Sequence, residues 1–115
     1  MRTGLLLVVG VAAVIYAVVP AMAMPGGWQP IENINDPDIQ ELGRWAVAEH
    51  VKQANDGIKF KKVVKGAVQV VNGFNYRLII HALNGDGKDA AYKAEVFEEA
   101  KPNARKQLVS FSPVN

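Results

Sequence analysis

Two histidines, His50 and His81, are the side chains in this 115-residue sequence best suited to proton transfer or metal ligation, and neither stands at a spacing that builds a site. There is no cysteine, which excludes a catalytic thiol, thiolate metal sites and redox chemistry. Ser110 and Ser112 lie near the C-terminus, far along the chain from either histidine, a poor start for a nucleophile with its base. The residues therefore argue against an enzyme and imply no metal or cofactor. Lys59, Lys61, Lys62 and Lys65 cluster, but without interleaved aromatics and largely on alternate positions, as on a solvated sheet face. With 13 basic against 11 acidic side chains, the sequence has no electrostatic footprint for nucleic acid. Three segments stand out instead because the architecture should bring them to one end: the pair Gly26-Gly27, the run Gln69-Val70-Val71-Asn72-Gly73, and a loop around Pro102-Asn103.

Several elements must position those segments. Residues 1–23 read as a signal peptide: Arg2, an apolar run from Leu5 to Val19, and the small-x-small pattern Ala21-Met22-Ala23. That run, about 15 residues, is short for a membrane span, which needs roughly 20. The expectation is a secreted protein with no membrane association after cleavage, its mature chain starting near Met24. Residues 24–115 then leave about 90 residues, enough for one domain with one core. Without disulfides, packing alone must hold that core. No Asn-x-Ser/Thr sequon occurs.

Met24 to Gln29, with Pro25 and two glycines, has no periodicity and reads as a mobile N-terminal trunk. Pro30 to Ile34 suits a short edge strand. Asp36-Pro37-Asp38 is a helix start, and Ile39, Leu42, Trp45, Ala46 and Glu49 follow helical spacing to about Ala54. Gly57, in Asn55-Asp56-Gly57, is expected to take the left-handed stop. The period then becomes 2: Ile58, Phe60, Val64, Val68 and Val70 share one face, with Lys62 and Gly66 as exceptions. Phe74, Tyr76, Leu78, Ile80 and Ala82 share a face of the next strand, and the short Val71-Asn72-Gly73 link makes the two a long hairpin. Asn84-Gly85-Asp86-Gly87 turns into a third strand near Ala91 to Phe97, and Lys106 to Phe111 forms the last. One amphipathic helix and consecutive hairpins predict an α+β domain in two layers, the helix packed across a four- to five-stranded antiparallel sheet. The helix face Ile39, Leu42, Ala46 should bury against Phe60, Tyr76, Leu78 and Ile80.

In this architecture the glycine trunk, the hairpin tip and the Pro102 loop belong at one end, and there the sequence resembles the cystatins. Gln69-Val70-Val71-Asn72-Gly73 matches their Gln-x-Val-x-Gly hairpin motif, and Gly26-Gly27 lies where they carry N-terminal glycines. Leu42-Gly43-Arg44-Trp45-Ala46-Val47-Ala48-Glu49-His50 is similar to the helix signature of the plant branch. The resemblance implies a reversible inhibitor that wedges Gly26, Gly27, Gln69, Val70, Val71, Asn72, Gly73, Pro102 and Asn103 into the cleft of papain-like cysteine proteases. The mature domain is expected to be a monomer, with a domain-swapped dimer through the long hairpin as the alternative. One departure is plain: the family's second loop usually carries Pro-Trp, whereas Asn103 follows Pro102 and no Trp occurs after Trp45. That departure motivates the alternative function, a secreted binding or storage protein on the same fold with weak or lost inhibition.

Overall fold

A computed structural model describes residues 27–100 and 105–114. The described residues form β1 (Trp28–Pro30), α1 (Pro37–Ala54), β2 (Lys59–Val71), β3 (Gly73–Leu83), β4 (Asp89–Glu98) and β5 (Lys106–Pro113). The five strands make one antiparallel sheet in the order β1-β2-β3-β4-β5, so each pairs with its neighbour in sequence. The helix crosses one face, giving the expected two layers. The expected signal peptide lies outside the described residues, and among those described no helix is long and apolar enough to cross a membrane.

Local chemistry explains where α1 starts and stops. The Asp36 carboxylate accepts from the Asp38 backbone N–H at 2.9 Å, and Pro37 occupies the first turn, where its missing N–H costs nothing. The left-handed residue at the C-terminus is Asn55 (φ 51°, ψ 43°), whose N–H donates to the Val51 carbonyl at 2.7 Å. Gly57 also has positive φ, at 74°, but lies beyond the cap. Asn tolerates this conformation because its short polar side chain bonds locally, so the stop comes two residues earlier than glycine alone suggests.

The core joins Leu42, Ala46 and Val47 of α1 to Val63, Leu78, Ile80, Ala82, Tyr92, Ala94 and Val96 of the sheet, with Ile58 at its edge. Ile39 is only half-buried, and Val47 takes the place expected of it. Trp45 packs at the core margin, with Lys106 Nζ 5.3 Å from its ring centre. A second correction concerns β2. Val63, not Val64, is fully buried, because β2 slips register against β3 between Phe60 and Lys62 and again between Val63 and Lys65. Each slip adds one residue to β2 and turns the alternation over, so Phe60, Val63, Gly66, Val68 and Val70 end on the helix side. Gly66 is therefore no exception to the face: a Cβ there would sit 2.9 Å from Ile31 Cδ1 and 3.0 Å from Leu78 Cδ2.

Gln40 fastens α1 to β2 at the second slip. Its amide Nε2 donates to the carbonyls of Ile34 (2.7 Å) and Val63 (3.0 Å), and its Oε1 accepts from the Val63 N–H at 2.9 Å. Since β1 pairs only with residues 67–69 of β2, the backbone of Val63 has no strand on its outer side among the described residues, and the Gln40 amide stands in for one. At the other end of α1, His50 Nε2 lies 2.7 Å from Asp56 Oδ2 and its ring stacks on Phe111 at 4.1 Å, which in turn stacks on Tyr92 at 5.2 Å. This clasp ties the helix terminus to β5. It accounts for His50 as a packed residue.

Candidate functional site

The β2–β3 hairpin is as tight as a hairpin becomes. Val71 pairs with Gly73, leaving Asn72 alone at the apex. Gly73 has φ 131°, and a Cβ there would lie 2.7 Å from the Glu98 carbonyl oxygen and 2.8 Å from the Phe97 ring. The position demands glycine twice over, by conformation and by space. Just below the apex, Asn75 Nδ2 donates to Gln69 Oε1 at 2.8 Å across the ladder, closing the hairpin on the face away from the helix. Val70 and Val71 are 55% and 40% exposed, an apolar tip held by a rigid hairpin.

Pairing brings the other two segments to this end. Trp28 stands opposite Gln69, so Gly27, just before it, lies beside the tip. Phe74, opposite Val70, pairs on its other side with Glu98, which pairs with Lys106; the ends of β4 and β5 therefore meet the tip. The loop between them is closed at its base by the Glu99 N–H donating to the Arg105 carbonyl at 3.0 Å. Pro102, Asn103 and Gly26 lie outside the described residues. Of the sequence-expected site, the structure thus assembles Gly27, Gln69 to Gly73 and the flanks of the second loop.

The trunk differs from expectation in one respect. The edge strand is Trp28–Pro30 rather than residues 30–34, so Trp28 and Gln29 are paired backbone and not free chain. The cause is a side-chain anchor that spacing did not reveal. The Arg77 guanidinium lies 4.3 Å from the centre of the Trp28 ring, and its Nε donates to Glu95 Oε2 at 3.0 Å. Arg77 and Glu95 are direct partners in the β3–β4 ladder, so the indole is latched to the sheet through a cation held by its neighbour. Trp28 follows the glycine pair directly and was legible as an aromatic beside a candidate segment; its partner was visible only once the register was known.

On the helix side, Phe74 and Tyr76 pack with tilted rings 6.3 Å apart. Burial, then the charge and hydrogen bond of Glu98, hold the Tyr76 phenol above its ordinary value, so it stays neutral as a donor supporting the β4 end of the site. Among the described residues no group of three or more His, Asp or Glu side chains is arranged to hold a metal ion. Among the described residues the arrangement offers shape and apolar surface at one end of the sheet.

Comparison with known proteins agrees with this geometry. Residues 31–114 match a family described as aspartic acid proteinase inhibitor. The chain is 49% identical to "Cysteine proteinase inhibitor 8" of Oryza sativa subsp. japonica, over 76% of this chain and 71% of that one. It is 47% identical to "Putative cysteine proteinase inhibitor 7" of the same species, over 100% and 98% of the two chains. With "Cysteine proteinase inhibitor 5" of Arabidopsis thaliana the identity is 45%, over 83% and 77%. Among solved structures, the salivary cystatin of the soft tick Ornithodoros moubata superposes with a TM-score of 0.65 at 18% identity, covering 80% of this chain and 100% of that one. At that identity the likeness establishes the fold.

Proposed function

Because this chain belongs to the plant cystatins, a family of proteinase inhibitors and not of enzymes, we propose that it is a reversible inhibitor of papain-like cysteine proteases that blocks their cleft with the apolar end of its sheet. The observation that carries this reading is the assembly, at one end, of an exposed valine pair on a glycine-locked hairpin, a glycine beside it and the base of the second loop. A tip fixed before docking loses little ordering entropy on binding, and exposed Val70 and Val71 gain what a dry cleft offers apolar groups. Gly26 and Gly27 let the trunk backbone approach the protease without side-chain interference. Gln69, Asn72 and Gly73 shape the tip, and Pro102 and Asn103 form the second edge of the wedge. With Asn103 in place of an indole, that edge contributes less, and binding is weaker or more selective than in relatives carrying Pro-Trp. The protein acts as a monomer after export, residues 1–23 having been removed.

The family description names a different target class from the relatives' names, which supports a second reading: inhibition of aspartic proteinases. Titration of the protein against papain and against a pepsin-like enzyme separates the two. The proposal expects papain inhibited, competitively and without cleavage of the inhibitor, and pepsin untouched. The reverse pattern would establish the second reading, and no inhibition of either would leave a non-inhibitory binding protein. Sequencing the N-terminus of protein exported by plant cells checks the cleavage after Ala23.

A further inference from the structure

The dipeptide Asn-Gly occurs twice, at Asn72-Gly73 and Asn84-Gly85, and the structure handles the two amides in opposite ways. Asn84 is stitched into its turn: Oδ1 accepts from the N–H groups of Asp86 (2.9 Å) and Lys88 (3.0 Å), its own N–H donates to the Lys88 carbonyl at 2.8 Å, and its carbonyl accepts from Gly87 at 2.9 Å. Swinging that side chain toward the following backbone nitrogen breaks two bonds. Asn72 is exposed, sits alone between two strands, and makes no side-chain hydrogen bond with the described residues. Gly73, though buried, carries no side chain between the Asn72 amide and its own backbone nitrogen.

We propose that Asn72 is a self-modification site, at which the amide at the apex of the hairpin is converted to a carboxylate. The Gly73 backbone nitrogen, having given its proton to a solvent base, attacks the carbonyl carbon of the Asn72 side chain. A C–N bond forms, the side-chain nitrogen leaves as ammonia, and a five-membered succinimide results. Water adds to either ring carbonyl and opens the ring, giving aspartate, or isoaspartate in which the main chain runs through the former side chain. The balance is amide plus water to carboxylic acid plus ammonia, with no oxidant or cofactor. Asn72 lines a shallow depression with Phe97, Glu99 and Ala100, so the new charge arises next to Glu99 and beside the exposed valines. The isoaspartyl product also adds a backbone carbon to a turn in which Gly73 already crowds the Glu98 carbonyl. Where the tip enters a protease cleft, as proposed above, each converted molecule is a weakened inhibitor, and the tip carries its own timer.

The test is incubation of the folded protein at mildly alkaline pH, with peptide mapping by mass spectrometry over time. Asn72 should convert roughly tenfold or more faster than Asn84, the factor that two net hydrogen bonds on Asn84 are worth. Asn72→Gln, which would have to close a six-membered ring, should remain unconverted at that position while Asn84 keeps its own rate. Equal or faster conversion at Asn84, or conversion of Asn72 only after unfolding in denaturant, would overturn the proposal. Papain titration of the same samples reads the consequence separately. Inhibition falling in step with conversion, and Asn72→Asp weakened by roughly tenfold or more, is expected for a charge forced into an apolar cleft. Conversion at Asn72 with inhibition unchanged would leave the modification standing and refute the tip's place in the cleft.

Discussion

At one end of the sheet the Asn84–Lys88 turn lies against the helix terminus, where a Cβ on Gly85 would sit 2.6 Å from the Asp56 carbonyl oxygen, and the groups there answer one another. Asn84 is held by four hydrogen bonds, and the His50–Asp56 pair is 2.7 Å long. At the other end a tighter turn, also built on Asn-Gly, exposes Val70 and Val71, and its apex side chain has no partner among the described residues. Both turns close between paired strands, so the contrast is not one of order against disorder. It lies between a turn whose polar groups are satisfied within the molecule and a turn whose apolar surface is left for another molecule to cover.

The comparison can be broken from either side, and core substitution should have the largest effect. Leu42→Ala removes a buried side chain from α1 and should cost about 2–5 kcal/mol in chemical denaturation, while the molecules that remain folded inhibit as before. Gly73→Ala should act on both properties. The backbone strain at φ 131° is worth about 1–3 kcal/mol, and displacement of the Glu98 carbonyl shifts the tip, so stability and papain inhibition should fall together. Trp28→Ala removes the indole from Arg77 and should weaken inhibition by about 0.5–2 kcal/mol with little change in thermal unfolding, since it loosens only the trunk.

Asp56→Asn should have the smallest effect and sharpens the comparison at the far end. Desolvation works to raise the Asp56 carboxyl, but the hydrogen bond and charge of His50, with the Ile58 N–H, outweigh it and hold it below its ordinary value of 3.8. A depressed carboxyl stabilises the fold above its unfolded value and loses that contribution as pH falls through the folded one. The difference in stability between the native protein and Asp56→Asn should therefore close as pH drops below 3.8, under about 1 kcal/mol in all because the pair is partly solvated. Urea denaturation across that range, with papain inhibition unaffected at neutral pH, is the check.

Much of this was legible in the sequence because local chemistry decided it. Asp36-Pro37 marked the helix start, the alternation from Phe74 to Ala82 marked a half-buried strand, and Gly73 was recognisable as a turn residue. Val63 was not, since two register slips in β2 invert the alternation, and a slip leaves no trace in a period-2 pattern beyond an apparent error. Gln40 and Arg77 were missed for a related reason: each serves a partner, the Val63 backbone or the Trp28 ring, that is brought near only by tertiary pairing. Two of the candidate segments were legible because each carried a motif, the glycine pair and the Gln69 to Gly73 run, whereas the Pro102 loop lacks the Pro-Trp of its family and lies partly outside the described residues. The latch that holds the first against the second was not legible.

The central claim is that the apolar tip binds the protease and contributes little to folding. Val70→Asp tests it most directly, because Val70 is 55% exposed in the free protein and would be desolvated only in the complex. Thermal unfolding and papain inhibition should be measured on the same preparation. The unfolding midpoint should stay close to that of the native protein, and inhibition should weaken by about tenfold or more, as a carboxylate is forced into a dry cleft. An inhibition constant that stays unchanged with Asp at this position would contradict the claim.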